Sequence, residues 1–207
     1  MVYNTDNLGY ILRMEELFVS KVRVKILQLF LTSKDNLMHV RDIVRRVDEE
    51  INAVRRELAR MEKFGMVSSE WRANRRFYKF RKDYRFYHEL LGFVTKSTGL
   101  GGDILKNKSS MGKIKYALMA VRFAQNKESG PEDVDLLVVG QIVLPTLQSL
   151  VANEQSKREK EINYSYMDEA EFSFRVRRRD PFILKILTQP RIMLIGDETA
   201  LMDNVIV

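Results

Sequence analysis

Between Ile51 and Phe80 the hydrophobic period switches from that of a helix to that of a strand pair, and this succession constrains the fold more than any other stretch of the chain. Ile51, Val54, Leu58 and Met61 align one apolar stripe at helical spacing, while Asn52, Arg55, Arg56 and Lys63 project from other parts of the circumference. Gly65 is placed as the helix stop, since glycine enters the left-handed conformation without a Cβ clash. Met66 to Trp71 and Arg75 to Phe80 are β-prone runs joined by Arg72-Ala73-Asn74, which predicts a hairpin with Asn74 in the left-handed conformation of a tight turn. Trp71, Phe77, Tyr78 and Phe80 alternate beside a core and are read as ribbon packing rather than as platforms for bases.

Two helices precede this pair. Ser20 is positioned as an N-cap, and Val22, Ile26, Leu29 and Phe30 then share one helical face. Val40, Ile43, Val44 and Val47 repeat the pattern, and Asp48-Glu49-Glu50 separates them from the basic helix as the corner between two helices would. Arginine pairs with guanine and asparagine with adenine, so an exposed helix carrying Asn52, Arg55 and Arg56 near its start can read base edges. Taken alone, such a helix reads more readily as a solvated charged face. The hairpin tip adds Arg72, Asn74, Arg75 and Arg76, a set able to reach phosphates or a minor groove with sequence-independent, salt-sensitive affinity.

Charge agrees with that reading. Of the net +7, residues 1–90 hold +6 (19 Lys and Arg against 13 Asp and Glu) and residues 91–207 hold +1. The positive field therefore belongs to the half with the basic helix, as expected if that half meets a polyanion. No run of roughly 18 apolar residues and no secretory pattern appears, so no membrane partner and a cytoplasmic location are expected. With no cysteine and only His39 and His88, disulfides, cysteine nucleophiles and the common zinc patterns are excluded, and any metal would need carboxylates.

From about Glu15 to Tyr87 the chain resembles the winged helix-turn-helix domains of regulators related to the arsenical-resistance repressor. The similarity runs through Leu17–Leu27, His39-Val40-Arg41-Asp42-Ile43, Asn52–Leu58 and Asn74-Arg75-Arg76-Phe77-Tyr78. It implies a dimer on double-stranded DNA, with Asn52, Arg55 and Arg56 in the major groove and Arg72, Arg75 and Arg76 on the wing.

Tyr84 to Val94 places Phe86, Leu90, Leu91 and Val94 at helix-compatible spacing, and Thr98-Gly99-Leu100-Gly101-Gly102 then reads as a hinge. The glycines lack the preceding strand and following Gly-Lys-Ser/Thr of a phosphate loop. Beyond them, Lys115 to Val121 and Val134 to Val139 are apolar β-prone runs, the second opening with Asp133-Val134-Asp135. Two carboxylates two residues apart on a strand face the same way and can hold a divalent cation such as Mg2+, or simply stand in solvent.

Asp133–Gly140 resembles the aspartate strand of the minimal nucleotidyltransferases, which share the DNA polymerase β-type fold. Glu161–Tyr164, Arg179–Ile183 and Pro190–Glu198 are similar to it as well, particularly to members fused to a winged helix. The resemblance covers roughly Ile114 to Glu198 and implies nucleotide and Mg2+ binding at Asp133 and Asp135. The departures are specific. Where that family has a Gly-Ser pair, this chain has Val121-Arg122; its Ala-Arg-Gly reads Ala124-Gln125-Asn126. The third carboxylate is absent from Ile162 to Met167. Parts that act as a unit fail together, so catalysis is not expected, with no catalytic residue and no required cofactor.

The expected fold is α+β in two domains. Residues 1–97 form the winged helix-turn-helix with its following helix, 98–112 a linker, and 113–207 a degenerate nucleotidyltransferase-like α/β domain with a small mixed sheet. The leading function is a dimeric DNA-binding transcriptional regulator whose second domain senses a ligand such as a nucleotide, dimerises or binds a protein partner. The alternatives are an active Mg2+-dependent nucleotidyltransferase and an antitoxin-like interaction protein. Arg175–Arg179, with four arginines, reads equally as a second DNA contact or as cations at a helix C-terminus. The tail from Met202 to Val207 is too short to interpret.

Overall fold

A computed structural model describes residues 20–34 and 37–206, side chains of 204–206 excepted. The backbone is mixed α+β with small sheets, and it divides into two compact units, one ending at Ser97 and one beginning at Thr98. The part of the first resemblance that precedes Ser20 lies outside the described residues.

In the first unit Ser20 caps α1 (Lys21–Thr32), its Oγ accepting the Arg23 N–H at 3.3 Å. The buried face of α1 is Val24, Ile26, Leu27, Phe30 and Leu31, whereas Val22 and Leu29 are only half-buried. The shift has a packing cause: α1 is covered by α2 (Val40–Val47), α3 (Ile51–Lys63) and α4 (Tyr87–Ser97), a wider surround than a single stripe serves. Asp48, at φ 50°, closes α2, and the Glu50 carboxylate caps α3 by accepting the Asn52 and Ala53 N–H groups, each at 2.9 Å. Val54, Leu58 and Met61 bury the α3 stripe, and Gly65 follows it at φ 72°.

The hairpin is formed by β2 (Val67–Arg72) and β3 (Arg75–Phe80), joined antiparallel with Arg72 opposite Arg75. Here Ala73, at φ 49°, takes the left-handed conformation, not Asn74. A two-residue turn places that demand on its first residue, where alanine bears a modest Cβ strain that asparagine tolerates better. The short strand β1 (Met38–His39) pairs with β3 to give the order β1-β3-β2. In α4 the buried residues are Tyr87, Leu91, Val94 and Thr95, and Phe86 precedes the helix with its side chain exposed.

The second unit starts with a helix where a linker was expected. Its α5 spans Gly99–Lys106, with Gly101 and Gly102 buried. The glycines serve close packing against α7 (Leu144–Arg158): a Cβ on Gly99 would stand 3.2 Å from Glu154 Oε1. The sheet runs β6-β5-β4-β7, built from β4 (Gly112–Ala120), β5 (Leu136–Ile142), β6 (Tyr164–Met167) and β7 (Arg191–Ile195). β4 is antiparallel to β5 and β7, while β5 and β6 are parallel, as the intervening crossover through α7 allows.

Alternate residues of the sheet, Tyr116 and Leu118 on β4 and Leu137 and Val139 on β5, join a core with Phe172 and Val176 of α8 (Glu169–Arg177). Ile183, Ile186 and Leu187 of α9 (Pro181–Thr188) and Leu201 of α10 (Glu198–Ile206) complete it. The short α6 (Val121–Ala124) leaves the end of β4. Within Arg175–Arg179, Arg175 pairs with Glu171 at 2.7 Å and Asp180 at 3.3 Å, Arg178 lies over the Phe174 ring, and Asp180 caps α9.

Candidate functional site

Asn52, Arg55 and Arg56 stand exposed on the first two turns of α3 because Val54, Leu58 and Met61 turn the opposite side inward. The Glu50 cap fixes the start of the helix that carries them. Its carboxyl is held below the usual carboxylate range by the Asn52 and Ala53 N–H groups, with a smaller contribution from Arg56. Among the described residues, the Arg55 and Arg56 guanidinium groups make no hydrogen bond or ion pair, so both forks remain available to an external acceptor.

On the ribbon, Arg72, Asn74 and Arg75 are exposed. Arg72 is paired with Glu70 and lies 5.7 Å from the centre of the Phe77 ring. Arg75 has no such partner among the described residues. Arg76 differs from its wing neighbours: it is half-buried, bonded to Glu62 at 2.8 Å and to Ser69 Oγ at 3.0 Å, and stacked 5.2 Å over Tyr78. Its guanidinium ties the ribbon to α3 and is not free for a phosphate. The sequence places three arginines at the tip without indicating that one of them is consumed by a carboxylate 14 residues earlier.

The aromatic residues also divide. Tyr78 and Phe80 are buried and Phe77 is half-buried against His39, but Trp71 is 69% exposed, so it is not part of the ribbon packing. Burial pushes the Tyr78 phenol up, while the Arg76 and Arg55 charges oppose that shift.

Asp133 and Asp135 lie just before β5 rather than on it, because the chain turns at Gly130, whose carbonyl accepts the Asp133 N–H at 3.0 Å. They do come together, through a residue that the sequence marks only as a departure. Arg122, at the start of α6, pairs with Asp133 and reaches Asp135 at 3.5 Å. Asp135 is 1% exposed, and its other contacts are the Ser129 hydroxyl and the Asn163 N–H at 3.0 Å. The Asp133 carboxyl accepts the Gly130 N–H at 2.8 Å and faces Lys185 at 3.6 Å. That N–H, then Arg122 and Lys185, holds its carboxyl below the usual range.

This donor set does not fit Mg2+. A guanidinium bridges the two carboxylates, Ser129 and Asn163 use the remaining Asp135 valences, and no cluster of three acidic, histidine or cysteine side chains exists among the described residues. Clefts of about 340 Å³ and 610 Å³ flank the cluster and share Asn163 and Pro131 as lining. Compared with protein-family models, with curated proteins and with solved structures, the chain matches none.

Proposed function

We propose that the chain is a sequence-specific DNA-binding transcriptional regulator that acts as a homodimer. In this reading the first unit is a winged helix-turn-helix and α3 enters the major groove. The carrying observation is that Asn52, Arg55 and Arg56 share the exposed start of a capped helix, with both arginines lacking any protein acceptor among the described residues. An exposed guanidinium without an internal partner is suited to guanine edges, and Arg72 and Arg75 supply phosphate contacts from the ribbon.

The second unit is a nucleotidyltransferase-like fold that has lost its chemistry and serves sensing, dimerisation or partner binding. Arg122 supports this part, since its guanidinium takes the place between the aspartates that an oxygen-seeking cation would need. Incubation with labelled nucleoside triphosphates and Mg2+ is expected to leave no transferred label. Label that disappears in Asp135→Asn would overturn the non-catalytic assignment.

The DNA reading is tested by selecting bound duplexes from a random pool at near-physiological salt, where specific binding must exceed the non-specific background. Enrichment of an inverted repeat with half-sites one helical turn apart is expected, and failure to enrich any sequence removes the proposal. On the selected site, Arg55→Ala should cost about 1–3 kcal/mol and relax the preference at one base pair. Arg75→Ala should weaken all duplexes alike and lower the salt slope by about one.

A further inference from the structure

We propose that Trp71 is a DNA-contacting residue, an aromatic wedge that lies against the sugars and base edges of the minor groove beside the ribbon tip. The inference rests on the DNA reading above and adds an apolar contact to its cationic ones. Its basis is the register of the hairpin. Val67 opposite Phe80, Ser69 opposite Tyr78 and Trp71 opposite Arg76 lie on one face of the ribbon.

Burial falls along that face, from Val67 and Phe80 in the core, through half-buried Ser69, to Trp71 at 69% exposure. Four residues of strand carry Trp71 about 13 Å out from Val67, beyond the reach of the core it would otherwise cover. An indole left in water at such a position forfeits a large burial gain, which a partner surface recovers.

The surroundings specify the partner's chemistry. Arg76, opposite Trp71, lies 6.0 Å from its ring centre, while Arg72 and Arg75, the last cross-strand pair before the turn, stand on the other face of the ribbon. The acid beside them, Glu70, is already paired with Arg72. A ribbon tip with an apolar plate on one face and exposed Arg72 and Arg75 on the other matches a cleft whose walls are polyanionic and which also presents flat apolar edges, the composition of a nucleic-acid groove. The Glu62–Arg76–Ser69 linkage braces the same face against α3, the helix that bears Arg55.

Trp71 is the single tryptophan of the chain, so its emission reports this position without labelling. The full-length protein is titrated with a fluorescein-labelled duplex of random sequence at low salt, following fluorescein anisotropy for binding and indole emission with acrylamide quenching for contact. The expected result is a rise in anisotropy together with a blue shift and loss of acrylamide access. Trp71→Ala should weaken binding about tenfold with the salt slope unchanged, and Trp71→Phe should retain most of the affinity. Because the side chain is exposed, neither substitution removes core packing, and circular dichroism checks that both variants fold.

Anisotropy that rises while the indole stays fully accessible overturns the Trp71 assignment and leaves the DNA reading standing. No rise in anisotropy overturns both.

Discussion

Arg122→Ala is expected to destabilise the second unit by about 3 kcal/mol, measured as a lower calorimetric transition of the full-length chain. The argument is one of unmatched charge. Asp135 is 1% exposed and Arg122 is its cationic partner, while the same guanidinium neutralises Asp133. Removing it leaves two carboxylates two residues apart, with Lys185 facing only the outer one. The full cost of an uncompensated buried carboxylate is moderated because Ser129 and the Asn163 N–H still donate to Asp135.

Acid should narrow the difference between the two proteins. Asp133 has a lowered pKa in the folded state, so its contribution is complete above the ordinary value of 3.8 and is lost as pH falls through the lower folded value. The wild-type cluster is therefore intact at neutral pH. In the variant the carboxyl titrates at higher pH, so the gap is greatest near neutrality and shrinks below about pH 4. Removing Asp133 as well, in Arg122→Ala with Asp133→Ala, takes away the repulsion between the two carboxylates and should recover part of the loss. A single substitution that costs less than about 0.5 kcal/mol would show that water, not Arg122, solvates the pair.

The helix and ribbon from Ile51 to Phe80 were legible because each has a clean period and a stop signal, so α3, β2 and β3 fall close to the expected bounds. Less visible elements lacked one of those signals. β1 is two residues long, too short for any alternation to register, and it is defined by its pairing to β3. The α5 helix begins with a glycine and contains two more, a composition that reads as a break until the proximity of Glu154 supplies the reason for small residues. In α7 the buried positions Leu147, Val151 and Glu154 follow helical spacing, but the third is a carboxylate held by Arg158 at 2.7 Å. An apolar count skips it.

The same distinction governs the candidate sites. Exposure of Asn52, Arg55 and Arg56 follows from the position of the apolar stripe, which sequence periodicity determines. The fates of Arg76 and Trp71 depend on tertiary partners: a carboxylate on α3 captures one, and the outward extension of the ribbon strands the other in solvent. Arg122 shows both effects. Its long cationic side chain at the end of an apolar β-prone run is visible in the chain, whereas its insertion between Asp133 and Asp135 requires β4, α6 and the Gly130 turn to be brought together.

Gly140→Ala is expected to cost about 3 kcal/mol or more, because steric overlap with backbone adds to the strain of an unfavourable φ. Gly140 sits in β5 at φ 144°, opposite Ile114, where the β4 register shifts before Tyr116. A Cβ there would stand 2.3 Å from the Lys113 carbonyl oxygen and 3.0 Å from both Ile114 Cα and Lys115 N. Those atoms belong to the neighbouring strand, so no side-chain rotation relieves the contact. Relief would require opening the bulge at the centre of the sheet. Gly92→Ala is the matched control: it lies inside α4, and a Cβ at that position meets nothing within 4 Å. That substitution should stabilise by roughly 0.5–1 kcal/mol through the higher helix propensity of alanine. Urea midpoints of the two variants should therefore move in opposite directions. A near-neutral Gly140→Ala would mean that the β4 bulge relaxes readily and that the close approach of the two strands is not what requires glycine there.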